Sequence, residues 1–213
     1  MIEQGFRHYY QRILVVPLAT QLMHRISANT ITWLSGLLGL LVVPALLSHH
    51  TLIAIVLLLL SGYCDTLDGT LARLAHQSTE WGSVLDIMMD RLVEFSVVFA
   101  LLILDPVHRA IGCFLMLGSM LLCITSFLVV GIFVANESHK SFHYSPGIME
   151  RAEAFIFFIA MMVWPQLFAY LAALFTCLVL LTAIIRLYQF YKQHLSCGMV
   201  EKSKLDIFKE EVS

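Results

Sequence analysis

Six stretches of almost unbroken apolar residues run along the chain, at about Asn29–Ser48, Leu52–Leu74, Gly82–Leu104, Val107–Ala135, Gly147–Trp164 and Leu167–Tyr191. Each approaches the roughly 20 residues a helix needs to cross a bilayer's hydrocarbon core, so the pattern predicts an all-α integral membrane protein with six transmembrane helices. Polar breaks separate them at His49-His50, at Gln77 to Trp81, at Asp105-Pro106, at Asn136 to Pro146 and at Pro165. Ahead of the first span, Phe6, Tyr10, Ile13, Leu14, Leu18 and Leu22 recur at helical spacing, with Arg7, Gln11, Arg12 and His24 on other faces. That is an N-terminal amphipathic helix, lying in the membrane interface or packed on the spans, and Pro17 can split it. The chain therefore divides into a juxtamembrane segment (1–28), a six-helix domain (29–192) and a polar cytoplasmic tail (193–213). No short apolar region with a small-residue cleavage site precedes the first span, which is expected to stay as an anchor.

Composition agrees. Of 213 residues, 59% are hydrophobic and 13% charged, and the mean hydropathy of +0.83 exceeds that of a soluble domain. A net charge of −2 without a basic stripe gives nucleic acid nothing to bind, so no nucleic-acid partner is expected. Arg7, Arg12, Arg25, Arg73, Lys140, Arg151, Arg186, Lys192, Lys202, Lys204 and Lys209 fall on one side of the six-span arrangement and Arg109 on the other. The positive-inside rule then puts both termini and the Gln77–Trp81 turn in the cytoplasm. Cys64, Cys113, Cys123, Cys177 and Cys197 form no C-x-x-C pair and read as small apolar fillers, and His139 with His143 as interfacial polar residues.

The exception to the apolar pattern is Asp65, Asp68, Asp86 and Asp90. A carboxylate at mid-membrane depth costs roughly 2.5–3.5 kcal/mol on insertion scales, and neighbouring like charges add repulsion. Asp65 and Asp68 form an i,i+3 pair, while Gly82, Asp86 and Asp90 repeat at i,i+4, so each set lies on one face of its helix. The link between them is long enough only for a tight turn, which makes the two stripes face each other. Gly69, Ala72 and Gly82 leave room beside them for a bulky ligand. Oxygen-only donors suit hard Mg2+ or Mn2+, two such ions would bridge a phosphoryl group, and Arg73 adds a bidentate phosphate donor. The chemistry predicted is phosphoryl transfer.

These residues spell D(x)2DG(x)2AR(x)8G(x)3D(x)3D, and with all eight fixed positions present the chain resembles the CDP-alcohol phosphotransferases. The resemblance implies a donor that is a CDP-linked lipid, usually CDP-diacylglycerol, and products that are a phosphodiester lipid and CMP. It implies two divalent cations held by Asp65, Asp68, Asp86 and Asp90, with Asp90 also deprotonating the acceptor hydroxyl. Asp65, Gly69, Ala72, Arg73 and Gly82 would line the CDP pocket. No serine, cysteine or histidine stands out as a covalent nucleophile, which favours direct in-line displacement over a ping-pong route. The resemblance also favours the interfacial N-terminal helix, a bacterial inner (cytoplasmic) membrane with the site facing the cytoplasm, and a homodimer. Small-xxx-small pairs at Ser35 with Gly39 and Gly131 with Ala135 would allow close helix approach in such a dimer.

For the acceptor, a small polar alcohol, Arg151 in Glu150-Arg151-Ala152-Glu153 and Arg186 resemble basic positions that bind phosphorylated alcohols, and Lys140 could join them. This leans toward glycerol 3-phosphate or inositol phosphate. Two departures keep inositol and serine open: Ala154 stands where inositol-phosphate users carry a second arginine, and Asn29-Thr30-Ile31-Thr32-Trp33-Leu34 lacks the arginine typical of glycerol-phosphate users. Membrane snorkelling is the plain alternative for Arg151 and Arg186. Outside this chemistry, a small secondary transporter would also carry mid-span acids, but the halves 1–105 and 106–213 show no repeat.

Overall fold

The computed structural model describes residues 11–23, 25–75, 79–134 and 148–211, with side chains given to residue 192 except that of Arg12. The described residues contain no strand. A π-helical turn at Gln11–Val15 leads into α1 (Val16–Leu22), followed by α2 (Ala28–Leu47), α3 (Thr51–Leu74), α4 (Glu80–Leu104), α5 (Pro106–Val134), α6 (Arg151–Val163), a 3-10 turn at Pro165–Leu167 and α7 (Phe168–Glu211). These helices fall within a few residues of the six apolar stretches. The segment expected as a polar tail continues in helix as far as Glu211.

Among the described residues, four stretches are long and apolar enough to cross a membrane: Ala28–Leu47, Thr51–Leu74, Pro106–Phe133 and Pro165–Lys192. The protein is thus an integral, multi-pass membrane protein. Of the other two expected spans, α4 has the length but carries Glu80, Asp86, Asp90, Arg91 and Glu94. Helix α6 has 13 residues, about 20 Å at 1.5 Å per residue.

The tertiary contacts form two units, one comprising Met1–Leu117 with Arg151–Ala173 and the other Gly118–Glu150 with Leu174–Ser213. In the first, α2 packs on both α3 and α4, and on α4 it does so through missing side chains. A Cβ on Gly36 would come within 2.5 Å of the Met89 sulfur, and one on Gly39 would overlap Val93. Ser35 and Ser61 stitch α2 to α3 reciprocally, each Oγ donating to the other's carbonyl at 2.9 Å. The Ser35–Gly39 stripe therefore faces neighbours within its own chain. Ser27 Oγ and Thr79 Oγ1 cap α2 and α4, accepting from Thr30 N and Gly82 N. Helix α2 ends with His50 N donating to Ala45 O and His49 N to Leu46 O, a Schellman closure that puts His49 at φ 60°.

The N-terminal element buries Val15 and Ala19 against Cys64, Leu67 and Leu71 of α3, and Tyr63 Oη donates to Leu14 O at 3.0 Å. Ile13 and Leu14 stay exposed. Of the residues expected to build this amphipathic helix, Phe6, Arg7, Tyr10 and His24 lie outside the described residues. At the far end of α4, Arg109 is buried, donates to Leu101 O at 3.2 Å and stacks over Phe168. Nearby, a hydrogen bond from His108 holds the exposed Asp105 carboxyl below its usual range.

In the second unit, Met149 N donates to the buried Thr182 Oγ1 at 3.0 Å, and Phe133 lies 6.4 Å from Phe190.

Candidate active site

The acidic cluster is assembled by α3 and α4 from opposite sides. Asp65 and Asp68 occupy adjacent turns of α3, and one carboxylate oxygen from each lies within 4.8 Å of one from Asp86 on α4. This is the facing-stripe arrangement that the i,i+3 and i,i+4 spacings predict. Asp68 is buried and its Oδ2 has no hydrogen-bond partner, while the Thr32 hydroxyl of α2, which acts on the same carboxylate, donates to Ala28 O at 3.1 Å. Three converging oxygen donors with a buried orphan oxygen fit a hard divalent cation, because an unpaired carboxylate in a low-dielectric interior is strongly unfavourable.

Asp90 stands outside that group of three. It is joined to it through Arg151, whose Nη1 pairs with the Oδ1 atoms of both Asp65 and Asp90. Residues 65, 90 and 151 come from three different helices, and helix α6 begins at Arg151, so the first turn of α6 delivers the guanidinium to the aspartates. Phe155, one turn on, lies under it at 5.3 Å.

Small residues shape the neighbouring space. Arg73 Nη2 donates to Thr70 Oγ1 at 3.2 Å, which folds the guanidinium back over Gly69, where an added Cβ would sit 3.8 Å from Nη1. At Gly82 a Cβ would meet Thr79 Oγ1 at 3.1 Å and Asn29 Oδ1 at 3.2 Å. Ala72 is half-buried on the same helix as Gly69. At each of the two glycines only polar tips stand where a side chain would be, which suits their backbone to the close approach of a flat polar group.

Of the expected acceptor residues, Arg151 lies in the aspartate cluster and Lys140 is outside the described residues. Arg186 belongs to the second unit, where Nη1 donates to Cys123 O at 3.1 Å and Ser126 Oγ at 3.4 Å and the guanidinium stacks over Phe127. Its Nε is buried and has no partner.

Four contributors went unmarked in the sequence. Thr32 and Asn29 stand at i,i+3 where α2 starts, a spacing that was readable. Glu94 extends the stripe of Gly82, Asp86 and Asp90 by one further i,i+4 step, and Arg91 pairs with it at 2.5 Å.

Comparison with known proteins places these features. The profile of the family described as CDP-alcohol phosphatidyltransferase matches residues 25–188. The chain is 30% identical over 173 residues to inner membrane protein YnjF of Escherichia coli strain K12, which covers 78% of this chain and 84% of that protein. It is 28% identical over 149 residues to the phosphatidylinositol phosphate synthase of Corynebacterium glutamicum, covering 68% and 67% of the two chains. The fold matches that of Mycobacterium tuberculosis phosphatidylinositol phosphate synthase (PgsA1), in a crystal structure with CDP-DAG bound, at a TM-score of 0.63 and 20% identity, over 84% of this chain and 94% of the other. A second crystal structure of that enzyme, in complex with manganese and citrate, matches equally well at 0.63 and covers 89% of its chain.

Proposed function

The chain belongs to the CDP-alcohol phosphatidyltransferase family, and from that premise we propose that it moves a phosphatidyl group from CDP-diacylglycerol to a small phosphorylated alcohol, releasing CMP. As a member it is an enzyme, a transferase of substituted phosphate groups. The observation that carries the reading is the convergence of Asp65, Asp68 and Asp86, with Gly69 next to Asp68 on α3 and Gly82 one turn before Asp86 on α4. The neighbouring fold whose crystal structure holds CDP-DAG supports the donor, and the manganese complex of the same enzyme supports the cation.

In this reading Asp65, Asp68, Asp86 and Asp90 hold two divalent cations, Mg2+ or Mn2+. When bound, these neutralise the diphosphate and stabilise the leaving CMP oxygen. Asp65, Gly69, Ala72, Arg73 and Gly82 seat the CDP group, with the Arg73 guanidinium donating to phosphate oxygens. Asp90 accepts the proton of the acceptor hydroxyl as its oxygen attacks phosphorus in line, and the bond from phosphorus to the CMP oxygen breaks. The proton ends on Asp90 and the electron pair leaves with CMP.

Arg151, Arg186 and Lys140 are assigned to the anionic part of the acceptor. The partners described for Arg186 are all neutral, which leaves a half-buried cation suited to an incoming phosphate. Relatives named as phosphatidylinositol phosphate synthases support an inositol phosphate in particular. Ala154, buried where such enzymes are expected to carry a second arginine, favours the alternative of an unphosphorylated acceptor, inositol or serine. The wider reading keeps residues 1–28, 29–192 and 193–213 as juxtamembrane segment, catalytic domain and tail. It adds α4 and α6 as fifth and sixth spans, faces the site to the cytoplasm and pairs the chain as a homodimer.

The deciding assay measures CMP release from CDP-diacylglycerol by the purified protein in detergent, against glycerol 3-phosphate, inositol phosphate, inositol and serine, with and without Mg2+ or Mn2+. Release that needs both a cation and a phosphorylated alcohol is expected. Release driven best by inositol or serine would move the assignment to the neutral acceptor, and no release with any alcohol would sink the reading.

A further inference from the structure

Arg151 is surrounded by more carboxylates than it pairs with. Nη1 makes both ion pairs, to Asp65 and Asp90, while its Nε and Nη2 are buried without hydrogen-bond partners. Two further carboxylates of α4 act on it electrostatically, Asp86 and Glu94, and of these Glu94, one helical turn beyond Asp90, lies outside the group of aspartates assigned to the cations. Glu94 is only 4% exposed, and its Oε2 makes no aligned hydrogen bond even though Arg91 Nη1 lies 2.5 Å away. Arg91 is itself 36% exposed, so water competes for it. A buried guanidinium with two unengaged N–H groups thus acts on a buried carboxylate whose own ion-pair partner, Arg91, is partly exposed.

The Oδ1 atoms of Asp65 and Asp90 cannot serve Arg151 and a divalent cation at once. Positive charge arriving there repels the guanidinium, and a buried arginine without a counter-charge is strongly unfavourable. Resting on the proposed function, we propose that Glu94 is a positioning residue that draws Arg151 off Asp65 and Asp90 when those carboxylates take a cation. The i,i+4 step from Asp90 to Glu94 lets a change of side-chain rotamer make the transfer without backbone movement. Arg151 then stays buried and charge-compensated beside Asp90, available to the acceptor. Glu94 never touches substrate in this scheme; it acts through Arg151.

The test is Mn2+ binding without substrates, read by electron paramagnetic resonance of free Mn2+ over purified full-length protein in detergent. Glu94→Gln leaves Arg151 no carboxylate of α4 outside the cation-binding group, so Mn2+ affinity should fall about tenfold; Arg151→Ala removes the competitor, so affinity should rise about fivefold. The double variant should match Arg151→Ala within about twofold, because Glu94 has nothing left to position. A weakening by Glu94→Gln that persists in the double variant would show that Glu94 acts through its own charge or through packing, and overturns the proposal. So does an Arg151→Ala protein that binds Mn2+ no tighter than wild type, a result that stands even if Glu94→Gln does not fold. Wild type that takes up no Mn2+ overturns the metal-site reading and this proposal together, whereas wild-type uptake matched by Glu94→Gln overturns the proposal alone.

Discussion

Arg151 and Arg186 look alike in the sequence, each a lone cation at the edge of an apolar stretch, yet the structure gives them opposite electrostatic surroundings. Arg151 is compensated by Asp65 and Asp90, with Glu94 in reserve. Arg186 meets a carbonyl, a hydroxyl and an aromatic ring, and carries no described counter-charge. The first has a partner it must share with whatever else enters the site. The second is the one assigned, in the proposed function, to a partner that arrives from outside. Arg109 marks a third kind, in which the guanidinium caps the end of α4, meeting a carbonyl and a ring with the Asp105 carboxylate within electrostatic reach. What a buried arginine does is therefore decided by the charge around it rather than by its depth or by the chain beside it.

The strongest way to break the contrast is to remove the aspartates that define one side of it. Asp90→Asn takes away the proposed base and one of Arg151's two ion-pair partners, and kcat should fall about a thousandfold while the protein still inserts and elutes as wild type. Asp65→Asn, Asp68→Asn and Asp86→Asn should each abolish turnover similarly through loss of a cation ligand; activity kept within a few-fold in all of them would remove the site. Next in size, Arg186→Ala should raise the acceptor KM about ten- to a hundredfold and leave the KM for CDP-diacylglycerol within about threefold, since one charge-assisted phosphate contact is lost. An unchanged acceptor KM would make Arg186 a packing residue and favour a neutral acceptor. The smallest effect sharpens the same point: Phe127→Leu removes the ring under Arg186 and should raise the acceptor KM only about two- to fivefold, with kcat preserved.

The aspartate cluster was readable because its two halves are local patterns, an i,i+3 pair and an i,i+4 stripe in helices whose apolar surroundings leave no doubt about register. A short link then left the stripes little choice but to meet. Glu94 obeys the same arithmetic but carries no mark in the sequence, since the signature residues stop at Asp90 and the stretch after it is apolar. Arg151's partners were not readable at all. Asp90 lies 61 residues away in sequence, and no local period reports on a contact set by how α6 enters the helical layer. The apolar stretches located the helices well, while hydropathy sorted them less well: α4 holds its place among them with a row of charges along one face. The Ser35–Gly39 stripe shows the limit of a motif read alone, because small residues announce a close approach without saying to what.

That close approach sets a dimensional tolerance. Met89 and Val93, seated on Gly36 and Gly39, alternate around α4 with Asp86 and Asp90, so the depth to which the two apolar side chains sink fixes where the two carboxylates stand. Catalytic constellations work only within about 0.5 Å of their productive geometry, and the gauge that holds this one there is a pair of absent methyl groups on a helix that supplies none of the aspartates.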